Sequence, residues 1–504
     1  MTCIKPQKTS GKRSAAKPQP EKVNHGFHGF HGLRILHHRH PRGTELQQKE
    51  TKTTKNLDSD SGLHFLRFLL FQEIAPIRAI RAIRGKISAK ISGSDGLQCK
   101  TLGTRTRMLG GCAALLAMFL FSCGAMAAAD KFAAVPEKLQ QFVASNEIAG
   151  AVSLVATSNS LLHLAAVGKS DLESGRQMKT DDIFWIASMS KPVTAVAVAM
   201  LVDDGKLSFD DPVEKYLPEF HDLSVAGGRS AQPPATVKAA RPITVRDLLT
   251  HTSGLGEYRA TDPHWTLAEM SKALAREPLR FQPGTRWSYS TAGMDTAGRV
   301  VEAASGMPYS EFLQKRLFDP LGMKDTTFWI SPSQTERYAQ TYIWNAQAGK
   351  LRPAPIDYMY GGAVTDHQRP PLGGAGLFST AEDVAKFYQM MLNRGAWNGR
   401  RILKPETVAE MTRKQTGDLR ARAGMPWGLG FCVVEDPSQM AANATLSPGS
   451  FGHGGAFGTQ SWADPTRGII YVLMLERDKI QPTPDDSAMR RAYQQAVAAA
   501  LNEK

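Results

Sequence analysis

The sequence predicts an α/β protein. One antiparallel sheet is formed from strands near the two ends of the mature chain and is flanked by helices, with a mainly helical domain inserted between them. Three observations carry this expectation. Paired strand patterns occur near residue 150 and again near residue 470. The stretch between them is mostly helical in its periodicity. One of its helices, in "IASMSKPVTAVAVAMLVDDGK" (186–206), is apolar on nearly every side from Val193 to Val202, which places it in a core.

Residues 1–107 do not read as a domain. "HGFHGFHG" and "IRAIRAIRG" are low-complexity repeats, and "FLRFLLF" (65–71) is too short to span a membrane. The His-rich tract (25, 28, 31, 37, 38 and 40) reads as a solvated or spurious segment rather than a metal site. The net charge of +14 also resides at this end. Residues 1–129 hold 21 of the 61 Lys and Arg and 7 of the 47 Asp and Glu, so 40 of each sign remain after Ala129. The body is neutral, and no nucleic-acid partner is expected.

From Arg105 the chain reads "RTRMLGGCAALLAMFLFSCGAMAAADK": a basic start, an apolar run from Ala113 to Phe121, then small residues. That is the pattern of a secretory signal over 108–129, cleaved after Ala127 or Ala129; Met108 is then a candidate start, and 1–107 is expected to be either a disordered segment or an over-long gene prediction. The protein is expected to be exported, periplasmic or secreted. "LFSC" ending at Cys123 also resembles a lipoprotein box, although bulky Phe121 fits it poorly, and an uncleaved anchor is the third option. Any membrane contact is expected only through these features. Of the five cysteines only Cys432 lies beyond Ala129, so the mature chain 130–504 has no internal disulfide.

Within that body, "VPEKLQQFVASN" (135–146) is a short helix pattern. "GAVSLVATSNSLLHLAAVG" (150–168) reads as two strands turning at Ser158–Ser160. Helices are expected at 188–204, 244–250, 294–304, 309–316, 380–393 and 404–414. "TQSWADPTRGIIYVLMLE" (459–476) is a hairpin turning at Asp464–Gly468, followed by a closing helix in "SAMRRAYQQAVAAALNE". Two stretches read as long loops, 221–242 and 331–372. The second carries Tyr338, Tyr342, Trp344, Tyr358 and Tyr360, aromatics placed to line a cleft.

Ser188 and Lys191 stand at the entrance of the apolar helix, one turn apart on one face. A serine hydroxyl is a weak nucleophile and needs a base. A lysine in an apolar pocket loses its preference for charge and can serve as that base. A helix N-terminus also favours a developing oxyanion. Alone the motif is weak: it recurs at Ser14–Lys17, and Ser188 reads equally as a helix cap, with Ser190 a cap or supporting residue. Two further segments add to it. "FQPGTRWSYSTAG" (281–293) offers Tyr289 just before a helix, and "FGHGGAFGTQSWADP" (451–465) puts His453, Gly454 and Gly455 ahead of a strand.

In this order the motifs resemble the class C β-lactamase-like serine hydrolases, a family that includes esterase and D-amino-acid peptidase branches. The resemblance runs from about Pro136 to Ala499 and extends to "LVDDGKLSFDDPVEKYLPEF", "ITVRDLLTHTSGL", "PGTRWSYS", "FLQKRLFDPLGMKDTTF" and "GGAGLFSTAEDVAKF". It implies the penicillin-recognising fold. It also implies Ser188 as nucleophile, Lys191 as its base or relay, Tyr289 as a proton shuttle, and the backbone N–H groups of Ser188 and Ala456 as an oxyanion hole. Substrate contacts would come from Thr291, His453, Gly454 and Gly455. The departures matter: Tyr289-Ser290-Thr291 lacks the family asparagine, and His453-Gly454-Gly455 replaces Lys-Thr-Gly.

The expected activity is therefore acyl-enzyme hydrolysis of a small ester or amide. A β-lactamase, a D-amino-acid peptidase or DD-carboxypeptidase, and a non-turning-over β-lactam sensor remain as alternatives. His251 reads as a turn-bonding structural residue, and His163 as a histidine of core or surface. "GGAGLFS" (373–379) is expected to form a tight turn beside the active site. With no HExxH, CxxC, G-x-S-x-G or phosphate loop, no metal or cofactor is expected.

Overall fold

The structure, a computed structural model, describes residues 130–227, 235–257, 262–356, 362–419, 421–440, 444–478, 480 and 487–502. The signal, the lipobox cysteine Cys123, Tyr358 and Tyr360 lie outside the described residues.

The sheet has six strands: β1 (Gly150–Thr157), β2 (Leu161–Gly168), β3 (Cys432–Val433), β4 (Phe451–Gly454), β5 (Gln460–Asp464) and β6 (Ile469–Met474), in the spatial order β3-β4-β5-β6-β1-β2. Every pairing in it is antiparallel. The two ends of the chain meet where β1 lies against β6, with Val152 opposite Met474 and Leu154 opposite Val472. Both expected hairpins are present, turning where the sequence places them.

The central strands β1 and β6 are buried on both faces because helices cover both. On one side α1 (Ala134–Ala144) and α7 (Ala488–Asn502) pack Leu139, Tyr493 and Val497 against Val155, Tyr471 and Leu473. On the other side α2 (Ser190–Asp203), α5 (Thr291–Ser305) and α6 (Ala381–Leu392) share a core with Val152, Leu154 and Val472. Ser190 to Leu201 of α2 are all buried, as its uniformly apolar composition requires.

The insertion also contains α3 (Val245–Thr250) and α4 (Leu267–Ala275). The sequence reading missed α4, although Thr266 and Glu269 form a reciprocal capping box that marks its start. The helix expected at 309–316 is α-helical only over Tyr309–Leu313, then continues as a π turn, Gln314–Phe318. The two long loops are not featureless. Ser224–Ala226 pairs with Thr236–Lys238, and Tyr342–Asn345 pairs with Lys350–Pro353. Nor do the three described aromatics of 331–372 that were expected there line a cleft. Tyr342 is buried with its hydroxyl accepting from Leu172 N, Tyr338 packs edge-on against Phe378, and Trp344 stacks under Arg477. Rings this large contribute more as core than as exposed surface.

Candidate active site

Just before α2 the chain makes a 3₁₀ turn, Ala187–Met189, so Ser188 lies in this turn and the α-helix begins at Ser190. Ala187 has φ +46°, a left-handed conformation that a residue with a β-carbon adopts only under constraint. The constraint is visible. Ile186 N donates to Leu377 O, Ser190 Oγ donates to Ala187 O at 2.7 Å, and Leu377 N donates to Ser190 Oγ at 3.1 Å. Ser190 is thus the anchor of the turn. Ser188 is left half-exposed while Ala187 and Met189 are buried.

Lys191 is fully buried. Its Nζ lies 3.1 Å from Ser188 Oγ and donates to Gly374 O at 2.7 Å. Burial lowers its pKa from 10.5 to about 7, against the opposing pull of Asp295 and Glu257. A substantial fraction is then the neutral amine near pH 7, with a lone pair available to the Ser188 proton.

The acceptor at Gly374 is itself held, since Asp295 Oδ1 accepts from Gly374 N at 2.7 Å. A β-carbon on Gly374 would stand 2.6 Å from Thr291 Cγ2 and 2.7 Å from Thr291 O, so only glycine brings this turn so close. The expected tight turn at 373–379 is present and supplies a ligand to the lysine. Thr291, where the family has asparagine, begins α5 with its methyl against that turn. Glu257, at the open edge of the site, accepts from Thr291 N at 2.8 Å and Ala292 N at 3.1 Å. These are N–H groups that a helix start leaves unpaired. Although the residue is exposed as a whole, loss of water around the carboxyl on its inner side, and the nearby Asp295, raise the Glu257 pKa above its ordinary value.

Tyr289 reaches the same place from the loop before α5, with its ring centroid 4.6 Å from Lys191 Nζ. His251 holds it there. This residue ends α3 in the left-handed conformation, φ +61°. Its carbonyl accepts from Ser288 N at 2.9 Å and its Nδ1 accepts from Ser290 N at 3.2 Å, so Tyr289 is gripped on both sides. Accepting at Nδ1 requires the neutral ring, and burial and the nearby Lys191 drive the His251 pKa well below its ordinary value. The His251 ring also packs on Tyr289 and Trp427, at 4.6 and 4.9 Å. His251 is structural, as expected, but its partner is the loop that carries Tyr289 and not only its own turn. His163 is likewise a core residue, 3.0 Å from Ser153 Oγ.

The last segment enters on β4. His453 is buried, its Nδ1–H donating to Gly454 O at 2.7 Å and its ring 6.2 Å from that of Tyr289. A β-carbon on Gly455 would lie 1.9 Å from Thr459 Oγ1 and 2.8 Å from Ile186 O. Glycine therefore lets this turn abut the one that carries Ser188. Ala456, next along, is exposed at the mouth of the site. Ser188, Lys191, Tyr289, Thr291, His453, Gly454, Gly455 and Ala456 thus converge from three segments, with the 373–379 turn as a fourth wall behind Lys191. No group of His, Cys, Asp or Glu able to hold a metal occurs among the described residues.

A family model described as beta-lactamase matches residues 135–497. The chain belongs to the β-lactamase family. Within this family it is 31% identical to esterase EstB of Burkholderia gladioli over 386 residues, 70% of this chain and 92% of that one. It is 34% identical to a lovastatin esterase of Penicillium rubens, across 54% of this chain and 71% of the esterase. Among solved structures, EstCE1, "a hydrolase with promiscuous acyltransferase activity", superposes with a TM-score of 0.60 at 26% identity, covering 74% of this chain and 98% of that one. The chain is an enzyme, a serine hydrolase of this family, and the fold expected from the resemblance is the observed one.

Two residues around this site, Asp295 and Glu257, escaped the sequence reading. Asp295 left a signal, a carboxylate inside a helix that is otherwise small and apolar from Ala292 to Gly298. Glu257 left none, because its hydrogen bonds to the site run to backbone groups 34 and 35 positions away. The role of His251 toward Tyr289 spans 39 positions and was equally hidden.

Proposed function

We propose that this enzyme is an exported esterase that forms an acyl-enzyme on Ser188. The observation that carries this is the fully buried Lys191, with its pKa near 7, placed 3.1 Å from Ser188 Oγ. In this mechanism neutral Lys191 takes the Ser188 proton as Oγ attacks the ester carbonyl. The N–H groups of Ser188 and Ala456 meet the developing oxyanion. The intermediate collapses to an acyl-Ser188 ester as the leaving alkoxide is protonated through Tyr289. Water then attacks, returns the serine proton and releases the acid. The relatives named as esterases support an ester as the substrate.

The preference for esters over β-lactams rests on His453. A β-lactam or terminal D-amino acid presents a carboxylate, which the family meets with a lysine at this place. His453 instead gives its Nδ1 proton to Gly454 O, and Thr291 lacks the amide of the family asparagine. Losing a charge-assisted hydrogen bond costs about 1.5–3 kcal/mol, roughly tenfold to hundredfold in rate. The test is a panel of p-nitrophenyl butyrate, a chromogenic cephalosporin and a D-alanyl amide. The ester is expected to have a kcat/KM at least about tenfold above both others. A cephalosporin hydrolysed as well as the ester overturns the preference.

The charge split and the 108–129 pattern support export. N-terminal sequencing of the secreted protein is expected to begin near Ala128 or Asp130. A lipidated Cys123 would assign the lipoprotein route, and retention of 1–107 would contradict both.

A further inference from the structure

We infer that Arg490, on the far side of the sheet end from Ser188, is a positioning residue that sets the donor strength of the Ala456 N–H. The inference rests on the reading of Ala456 as an oxyanion-hole donor. Arg490 lies in the first turns of α7 and is 2% exposed. Two nitrogens of its guanidinium bind the turn that follows β4. Nη2 donates to Gly455 O at 3.1 Å, Nε donates to Gly458 O at 3.1 Å, and Nη2 also donates to Thr459 O.

The first of these contacts matters most. Gly455 O and Ala456 N belong to one peptide unit. In a trans peptide the C=O and N–H point in opposite directions and lie in one plane. A guanidinium bound to the carbonyl therefore fixes which way the N–H faces and prevents the unit from flipping. It also draws electrons toward the carbonyl oxygen, which leaves the N–H more positive, as in any chain of hydrogen bonds where one member is charged. The other two contacts clamp the turn at its far end, beside the Gly458 N to Gly455 O and Gly455 N to Thr459 O bonds that close it. A preorganised donor is the part of such a site that most favours the transition state over the bound substrate.

Reagents are an ester, p-nitrophenyl butyrate, and its thiono analogue with C=S in place of C=O. Sulfur is a poor acceptor, so an oxyanion hole makes an enzyme prefer the oxygen ester beyond the ratio of their rates with hydroxide. Arg490→Met is expected to lower kcat for the ester about tenfold to hundredfold, with KM within about twofold, because a donor is weakened and not removed. The ester-to-thionoester ratio is expected to fall by a similar factor, and Arg490→Lys is expected to restore part of it. A role in folding alone would depress both substrates equally and leave the ratio unchanged. A folded Arg490→Met enzyme with the wild-type ratio overturns the inference. If Arg490→Met does not fold, as judged by circular dichroism, Arg490→Lys carries the test, and an unchanged ratio there overturns it. A wild-type enzyme with no preference beyond the hydroxide ratio would instead remove the oxyanion-hole reading itself.

Discussion

Lys191→Met is expected to slow acylation by about three powers of ten or more, and at the same time to make the protein more stable at pH 6–7. The rate falls because no other amine is within reach of Ser188 Oγ among the described contacts. The stability rises because a buried ammonium is expensive. The Lys191 pKa falls from 10.5 in the unfolded chain to about 7 in the fold, a penalty of roughly 5 kcal/mol when the protein is below both values. Between pH 7 and 10.5 the unfolded chain holds a proton that the folded chain has released, so rising pH favours folding across that window. Methionine removes the penalty but leaves Gly374 O without its donor, at a cost of about 1–3 kcal/mol. The net gain is then about 2–4 kcal/mol near pH 6, shrinking as the pH rises toward 10.5. Stopped-flow acylation at pH 8 and thermal melts at pH 6 and pH 10 measure both halves. The wild-type acylation rate is expected to climb through pH 7 and level off above it, since the base acts in its neutral form. Near-normal acylation in the variant would move the base to Tyr289.

Ser188→Ala is expected to abolish turnover, by about four powers of ten or more, and to abolish covalent labelling by a fluorophosphonate. The informative control is Ser190→Ala, two residues on. Both serines are near Lys191 in sequence, but the structure separates their work. Ser188 stands half-exposed at the Lys191 amine, whereas Ser190 is buried and bridges Ala187 O and Leu377 N. Ser190→Ala should keep the label on Ser188 and lose about 1–3 kcal/mol of stability, because Leu377 N is left buried without its acceptor. Peptide mapping of the labelled wild type decides the assignment. A label on Ser190, or on any peptide lacking Ser188, would sink it.

Much of this protein is written in local sequence. The hairpins at Ser158–Ser160 and Asp464–Gly468 follow from alternation and turn residues, which act over fewer than ten positions. The burial of α2 follows from its uniformly apolar composition. The pairing of Ser188 with Lys191 follows from helical spacing, even though Ser188 lies in the 3₁₀ turn ahead of the helix. What local pattern could not supply is whatever depends on two distant segments meeting. The spacing of Ser188 and Lys191 recurs at Ser14–Lys17, and spacing by itself excludes no water from a lysine. The lowered Lys191 pKa comes from complete burial, and burial is decided by the packing of α5 and the 373–379 turn around the amine. The orientation of Tyr289 depends on His251, that of Gly374 on Asp295 79 residues earlier, and that of Gly455 on Arg490 35 residues later. Sequence by itself determined which residues could react. The tertiary structure decided the dielectric around them and the direction each donor faces, because solvent exclusion and long-range hydrogen bonds exist only once the two ends of the chain have closed the sheet.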